Sequence, residues 1–165
     1  MMARLGSVLR SDARGAAVVE LALVAPFLGA MIIGITDMTR GYSLKLQLEQ
    51  AAQRSIEKVE QQKSVANSYN TALTTEATTA MTAAGYTTGN TITPDSWVEC
   101  SANAGTTWTR KTNFTDACDP TNMTARYVKM TISRSFTPMF ASRLWPGADA
   151  NGNITVTGSA EVRIQ

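Results

Sequence analysis

The sequence predicts an α+β protein: one long N-terminal helix, transmembrane and then amphipathic, followed by a small antiparallel β-sheet. Three observations carry that expectation. Ala16 to Ile35 is an unbroken apolar run with a single charge in it. From Thr39 onward, apolar residues recur at helical spacing. After Gly85 the apolar period falls to two.

The apolar run reads AAVVELALVAPFLGAMIIGI, twenty residues long. At a helical rise of about 1.5 Å per residue it covers a hydrocarbon core of about 30 Å. Arg4, Arg10 and Arg14 precede it, and Asp37 and Arg40 close it. Arg40 and Lys45 lie within the counting window on the far side, so loop charge alone orients the helix only weakly. Flank size decides: the short leader has nothing to fold, whereas the C-terminal part does and carries both cysteines. The expected placement has the N-terminus in the cytoplasm and the remainder outside. The run is longer than the roughly 7–15 apolar residues of a cleaved signal peptide, and no clean A-x-A site follows it.

Two residues inside the run need a reason. A charged residue in a membrane helix is costly, about 2.5–3.5 kcal/mol at the bilayer centre, and suggests function by default. Glu20 is near one end of the run, where it could simply snorkel to the interface. Pro26 removes one helical hydrogen bond and is expected to kink or loosen the anchor, a geometric role that membrane helices tolerate.

Beyond Thr39, the residues Leu44, Leu48, Ala52, Ile56, Val59, Ala66, Tyr69 and Leu73 fall at spacings of three, four or seven. Glu49, Gln53, Glu57, Glu60 and Lys63 lie mostly elsewhere on the wheel. Such a stripe suits packing on the protein's own sheet, with partner helices as the other use. A break is a candidate feature at Asn67–Asn70. Helical signal fades through the Thr- and Ala-rich stretch before Gly85, a candidate C-cap.

In the last part of the chain, Thr91–Thr93 leads to Pro94 and then to Trp97–Cys100, a short strand or pair of strands. Val128, Met130 and Ile132 alternate with polar residues, as do Ile154, Val156, Ala160, Val162 and Ile164. The stretch MFASRLWPG reads as an apolar turn or short helix, with Phe140 and Trp145 as a lid on the core, and Asn151–Gly152 as a tight turn. Cys100 and Cys118 are too few for a thiolate zinc site and too far apart for a CxxC pair. One disulfide outside the cytoplasm is expected, closing a polar loop or hairpin and contributing about 3 kcal/mol, with two buried thiols as the alternative.

The totals exclude much. Histidine is absent, which removes the commonest general base and metal ligand. A net charge of +2 with no basic, aromatic-interleaved run gives no nucleic-acid surface. No nucleophile elbow, P-loop, dinucleotide-binding, HExxH or EF-hand pattern occurs. Asp116, Asp119 and Asp149 read as turn formers, with a calcium loop around Asp116–Asp119 as the alternative. No catalytic residue, metal or cofactor is expected, and the chain is not read as an enzyme.

One stretch points to a family. R-G-A-A-V-V-E-L-A-L-V-A-P-F-L, from Arg14, resembles the N-terminus of type IV prepilin-like proteins, and more narrowly the TadE-like minor pseudopilins of tight-adherence pili. Pro26 matches the proline usual in that anchor, and the segment from Arg40 to Ala52 resembles the one just outside the membrane. Leu21 stands where Phe or Tyr is common. The resemblance implies cleavage by an inner-membrane prepilin peptidase between Gly15 and Ala16, with Glu20 as the family's glutamate at the fifth mature position. It also implies other pseudopilins, the inner-membrane assembly platform and membrane lipid as partners, and a pilin-like layout. Residues 1–15 are then a basic leader, 16–38 a transmembrane helix, 39–84 an amphipathic helical stalk and 85–165 an extracytoplasmic antiparallel β domain. The implied function is assembly or initiation of a Tad-type pilus by a single-pass inner-membrane protein. A signal-anchored protein with an outer ligand- or envelope-binding domain is the alternative, and a secreted or periplasmic enzyme a second rival.

Overall fold

The computed structural model describes residues 13–61, 69–140, 143 and 145–164. Arg4 and Arg10 of the leader therefore lie outside the described residues, as do Lys63 and Ala66 of the stripe. The architecture is α+β. Helix α1 spans Ala13–Gln61, helix α2 Tyr69–Ala83, and four strands follow: β1 Asn90–Ser101, β2 Thr109–Lys111, β3 Met123–Phe136 and β4 Ile154–Arg163. All strand pairs are antiparallel, in the order β2-β1-β3-β4.

Helix α1 changes character along its length. From Val18 to Ile35 its large apolar side chains face outward, a surface that water cannot stabilise. From Leu44 onward one stripe turns inward: Leu44, Leu48, Ala52, Ile56 and Val59 are buried, and Leu73 of α2 joins them. Ala51 and Ser55 widen that face, and the Ser55 hydroxyl is satisfied by donating to the Ala51 carbonyl at 2.7 Å. The stripe packs on the protein's own sheet, on Val128, Met130 and Ile132 of β3. Each large aliphatic side chain so buried contributes about 1.5–3 kcal/mol.

The Thr-rich stretch stays helical to Ala83. Thr74, Thr75, Thr78 and Thr79 each donate their hydroxyl to the carbonyl four residues back. The buried face of α2 is supplied by Leu73, Ala77 and Met81. The helix closes on Gly85 at φ 88°, with Gly85 N–H on Thr82 O and Tyr86 N–H on Met81 O, the paired bonds of a Schellman end. Of the candidate break, Asn67 lies outside the described residues, while Asn70 is already inside α2.

The sheet presents its apolar face to the helices. Its other face holds cross-strand rows: Trp97 opposite Tyr127, their rings stacked at 5.4 Å, and Lys129 3.4 Å from Glu161. β1 is one strand of 12 residues, where the sequence suggested a short strand or a pair. Pro94 is compatible because β2 pairs only with Val98–Cys100, leaving β1 an edge at Pro94. The loop between Cys100 and Cys118 contains β2 and returns Phe114 to the core, 5.1 Å from the Tyr69 ring. Cys100 and Cys118 are bonded, with Cα atoms 5.6 Å apart.

Contact between helix and sheet is closest at Gly158 of β4. A Cβ there would come within 2.5 Å of both the Glu49 nitrogen and the Leu48 carbonyl carbon. Only a residue without a side chain lets the α1 backbone rest on the strand. Gly158→Ala is expected to lower stability by about 1–3 kcal/mol, as overpacked cores do. Thermal unfolding of the detergent-solubilised protein checks this, with Ser159→Ala on the exposed neighbour as the control.

Candidate functional site

Two regions of α1 carry charged groups on or beside its apolar surface. The first is its N-terminal end. Gly15 and Ala16 lie in the opening turns of α1, and a Cβ at Gly15 would meet nothing within 4 Å. Glu20 follows one turn further, exposed and without an ion pair among the described residues. Pro26 stands inside the helix, which continues on both sides. Among the described residues one helix, from Gly15 to Gln61, is long and apolar enough to cross a membrane, and its apolar window is unburied.

The second region is where the apolar surface ends. Asp37 is 1% exposed, a carboxylate enclosed only two residues beyond Ile35. The Phe140 backbone N–H donates to its Oδ2 at 2.9 Å, and the Arg40 guanidinium stands 3.6 Å from Oδ1. Phe140 lies 103 positions away in sequence, so this contact ties the loop after β3 to the root of the anchor. Nearby, the Phe136 ring approaches Gly41 closely enough that a Cβ there would lie 3.6 Å from it, and Arg40 sits 5.6 Å above the same ring. A cavity of about 400 Å³ opens between these groups, lined among others by Tyr42, Trp145, Ile154 and Val156.

Trp145 and Phe140 do not form the lid on the core that the sequence suggested. Phe140 is 44% exposed, and Trp145 lines the boundary cavity with its indole N–H on the Phe140 carbonyl at 3.0 Å. The tie to Asp37 pulls this loop toward the anchor end of the sheet, away from the buried layer. Ala141, Ser142 and Leu144 of the same stretch lie outside the described residues.

The predicted site residues thus fall into two separate groups. Gly15, Ala16, Glu20 and Pro26 share the apolar half of α1. The Cys100–Cys118 bond is at the other end of the molecule: Cys100 pairs with Thr124, twelve strand positions from Phe136, or about 40 Å along β3. The acidic loop residues form turns. Asp116 accepts from Asn113 N–H at 3.2 Å, Asp119 from the Thr121 hydroxyl at 2.7 Å, and Asp149 from the N–H groups of Asn151 and Asn153, both at 2.8 Å. The Thr121 hydroxyl holds the Asp119 carboxyl below its ordinary range, and the Asn153 N–H does the same for Asp149.

Sequence reading missed Asp37 as a buried group, although a signal was present. Asp37, Gly41, Leu44 and Leu48 continue one stripe at spacings of four, three and four, so the inward face begins two turns before the first buried leucine.

Residues 15–56 match the family model described as TadE-like protein. The match begins at the predicted cleavage junction, runs through the apolar segment and Asp37, and ends at Ile56 of the buried stripe, about a quarter of the 165 residues. No curated protein and no solved structure matches the chain.

Replacing Asp37 with Ala leaves the Phe140 N–H without its charged acceptor, a loss of about 1.5–3 kcal/mol locally. Amide exchange at Phe140 is expected to quicken by about tenfold or more, with exchange at Met130 unchanged. For Asp149 the folded carboxyl titrates below the ordinary 3.8, so its turn bonds are complete above that pH and are lost as the pH falls through the lower folded value. The amide resonances of Asn151 and Asn153 are expected to shift in that acid window and to be insensitive to pH between 5 and 7, a range well above both values.

Proposed function

Because residues 15–56 are TadE-like, we propose that the chain is a minor pseudopilin acting in assembly or initiation of a Tad-type pilus. On this reading a prepilin peptidase cuts between Gly15 and Ala16, and Ala16–Ile35 then holds the protein in the inner membrane. The C-terminal domain stands outside the cytoplasm. Other pseudopilins and the inner-membrane platform are its partners, and it performs no catalysis of its own. The observation that carries the reading is Glu20, a lone carboxylate on an otherwise apolar exposed surface, within the matched segment.

The chemistry gives that carboxylate a purpose. Cleavage after Gly15 frees a cationic α-amino group at Ala16, close to the edge of the apolar phase. Glu20 lies four residues on, about 6 Å along the helix axis. Either charge alone is expensive in a low-dielectric medium, and pairing offsets much of that cost. A neighbouring subunit's amine can serve as well as the chain's own, which makes the pair a device for lateral packing of anchors. The exposed apolar surface from Val18 to Ile35 supplies the rest of that contact.

N-terminal sequencing of the protein from native membranes is expected to start at Ala16 when the peptidase is present and at the leader when it is deleted. A Glu20→Gln variant is expected to be cut normally yet to lower pilus number by roughly tenfold, the effect of losing about 1.4 kcal/mol in a coupling equilibrium. A native protein that keeps its leader with the peptidase present supports the plain signal-anchored alternative instead.

A further inference from the structure

We propose that the outer domain makes a second contact with the membrane, through Met139, Phe140 and Trp145 together with Met38 and Tyr42 of α1. The inference rests on α1 crossing a bilayer through Ala16–Ile35, and it assigns a lipid-interface site to residues beyond that span.

The geometry leaves these side chains little choice. Asp37 is two residues past Ile35, about 3 Å along the helix axis. Its carboxylate accepts the Phe140 N–H at 2.9 Å, so Phe140 and the adjoining Met139 sit at the same depth as the end of the apolar run. A headgroup layer is about 5–8 Å thick, the difference between the full bilayer and its hydrocarbon core shared over two sides. Met38 and Phe140 fall inside that layer; Tyr42, about 10 Å past Ile35 along the axis, stands just beyond it, with its side chain inclined back toward it as helical side chains are. Met139 is 71% exposed, and Met38 and Tyr42 are both 65% exposed, so the apolar patch is bare at the depth where lipid meets water.

The composition is that of an interfacial anchor. Aromatic rings with one polar tip collect at membrane boundaries, and Trp145 has its N–H satisfied internally by the Phe140 carbonyl at 3.0 Å. Basic residues surround the patch: Arg40, Lys45 and the exposed Arg143. Two carboxylates face this set from α1: Asp37, enclosed and 3.6 Å from Arg40, and Glu49, 3.9 Å from Lys45, which leaves the set with a positive excess. Cationic side chains beside exposed aromatics suit an anionic lipid surface. The patch is also continuous with the apolar surface of the anchor, so lipid covering the one reaches the other. Met123, at the opposite end of β3, is 49% exposed but stands thirteen strand positions from Phe136, or about 40 Å away, and no bilayer engaged by α1 touches it.

The test uses the full chain reconstituted in phosphatidylcholine vesicles containing phosphatidylglycerol. Hydroxyl-radical footprinting read by mass spectrometry is expected to label Met139 at least about fivefold more slowly than Met123, although Met139 is the more exposed of the two. In a second measurement, a Trp97→Phe, Trp108→Phe variant leaves Trp145 as the sole tryptophan. Lipids brominated near the headgroup end of the chain are expected to quench it more strongly than lipids brominated near the terminal methyl. Equal labelling of Met139 and Met123 overturns the proposal. So does slow labelling of Met139 without bromolipid quenching, which would assign the patch to contact between copies of the chain. Should that tryptophan variant fail to fold, the footprinting of the unmodified chain is compared with that of a Met139→Ser variant. Faster labelling of Met38 there supports a shared lipid contact, and unchanged labelling overturns it. Flotation after alkaline extraction separates the two readings: a protein that floats but lacks the protection keeps its anchor and loses this second contact, whereas one that does not float loses both.

Discussion

The backbone of α1 at Leu48 and Glu49 rests against Gly158 of β4, with no room for even one methyl group between them. Most of the remaining structure follows from that contact. It sets the distance between the helix layer and the sheet, and so determines which side chains can fill the gap. Leu44, Leu48, Ala52, Ile56 and Val59 reach Val128, Met130 and Ile132 because the main chains are already close. Small residues on the helix, Ala51, Ala52 and Ser55, belong to the same requirement. A close-packed interface of this kind admits little sliding, since interdigitated side chains have no fluid alternative.

Rigidity at that interface has a mechanical consequence for the anchor. α1 is one helix from the apolar run to the core, without a hinge between Pro26 and Gln61. The Phe140–Asp37 bond and the Phe136–Gly41 approach brace the same helix at the membrane boundary, one to two turns before the buried stripe begins. The sheet is therefore held at a defined rotation about the apolar half of α1. Faces of the apolar half of α1 and faces of the sheet keep a fixed relation.

The helix carries two acidic residues along its apolar and boundary portions, and the fold treats them oppositely. Asp37 is enclosed and receives its partners from within the chain, a backbone N–H and a nearby guanidinium. Glu20 remains exposed on an apolar surface. An internal partner makes Asp37 a structural device. Glu20 has no ion-pair partner among the described residues, and the amine of the proposed function would supply one.

Much of the layout was decided by periodicity. A twenty-residue apolar run with one charge, an eight-residue stripe from Leu44 to Leu73, and alternation through Val128–Ile132 each name an element without reference to any other part of the chain. Gly85 and Asn151–Gly152 likewise declare their turns, because few residues accept the backbone conformations involved. Tertiary structure alone decided the rest. Gly158 is one small residue among alternating ones until α1 is laid across it. Asp37 reads as the polar end of a membrane segment until an N–H from 103 positions away encloses it. Phe140 and Trp145 read as a lid on the core until that bond draws their loop to the boundary. In each case the property depends on which distant backbone arrives, and local spacing along one chain contains no measure of that.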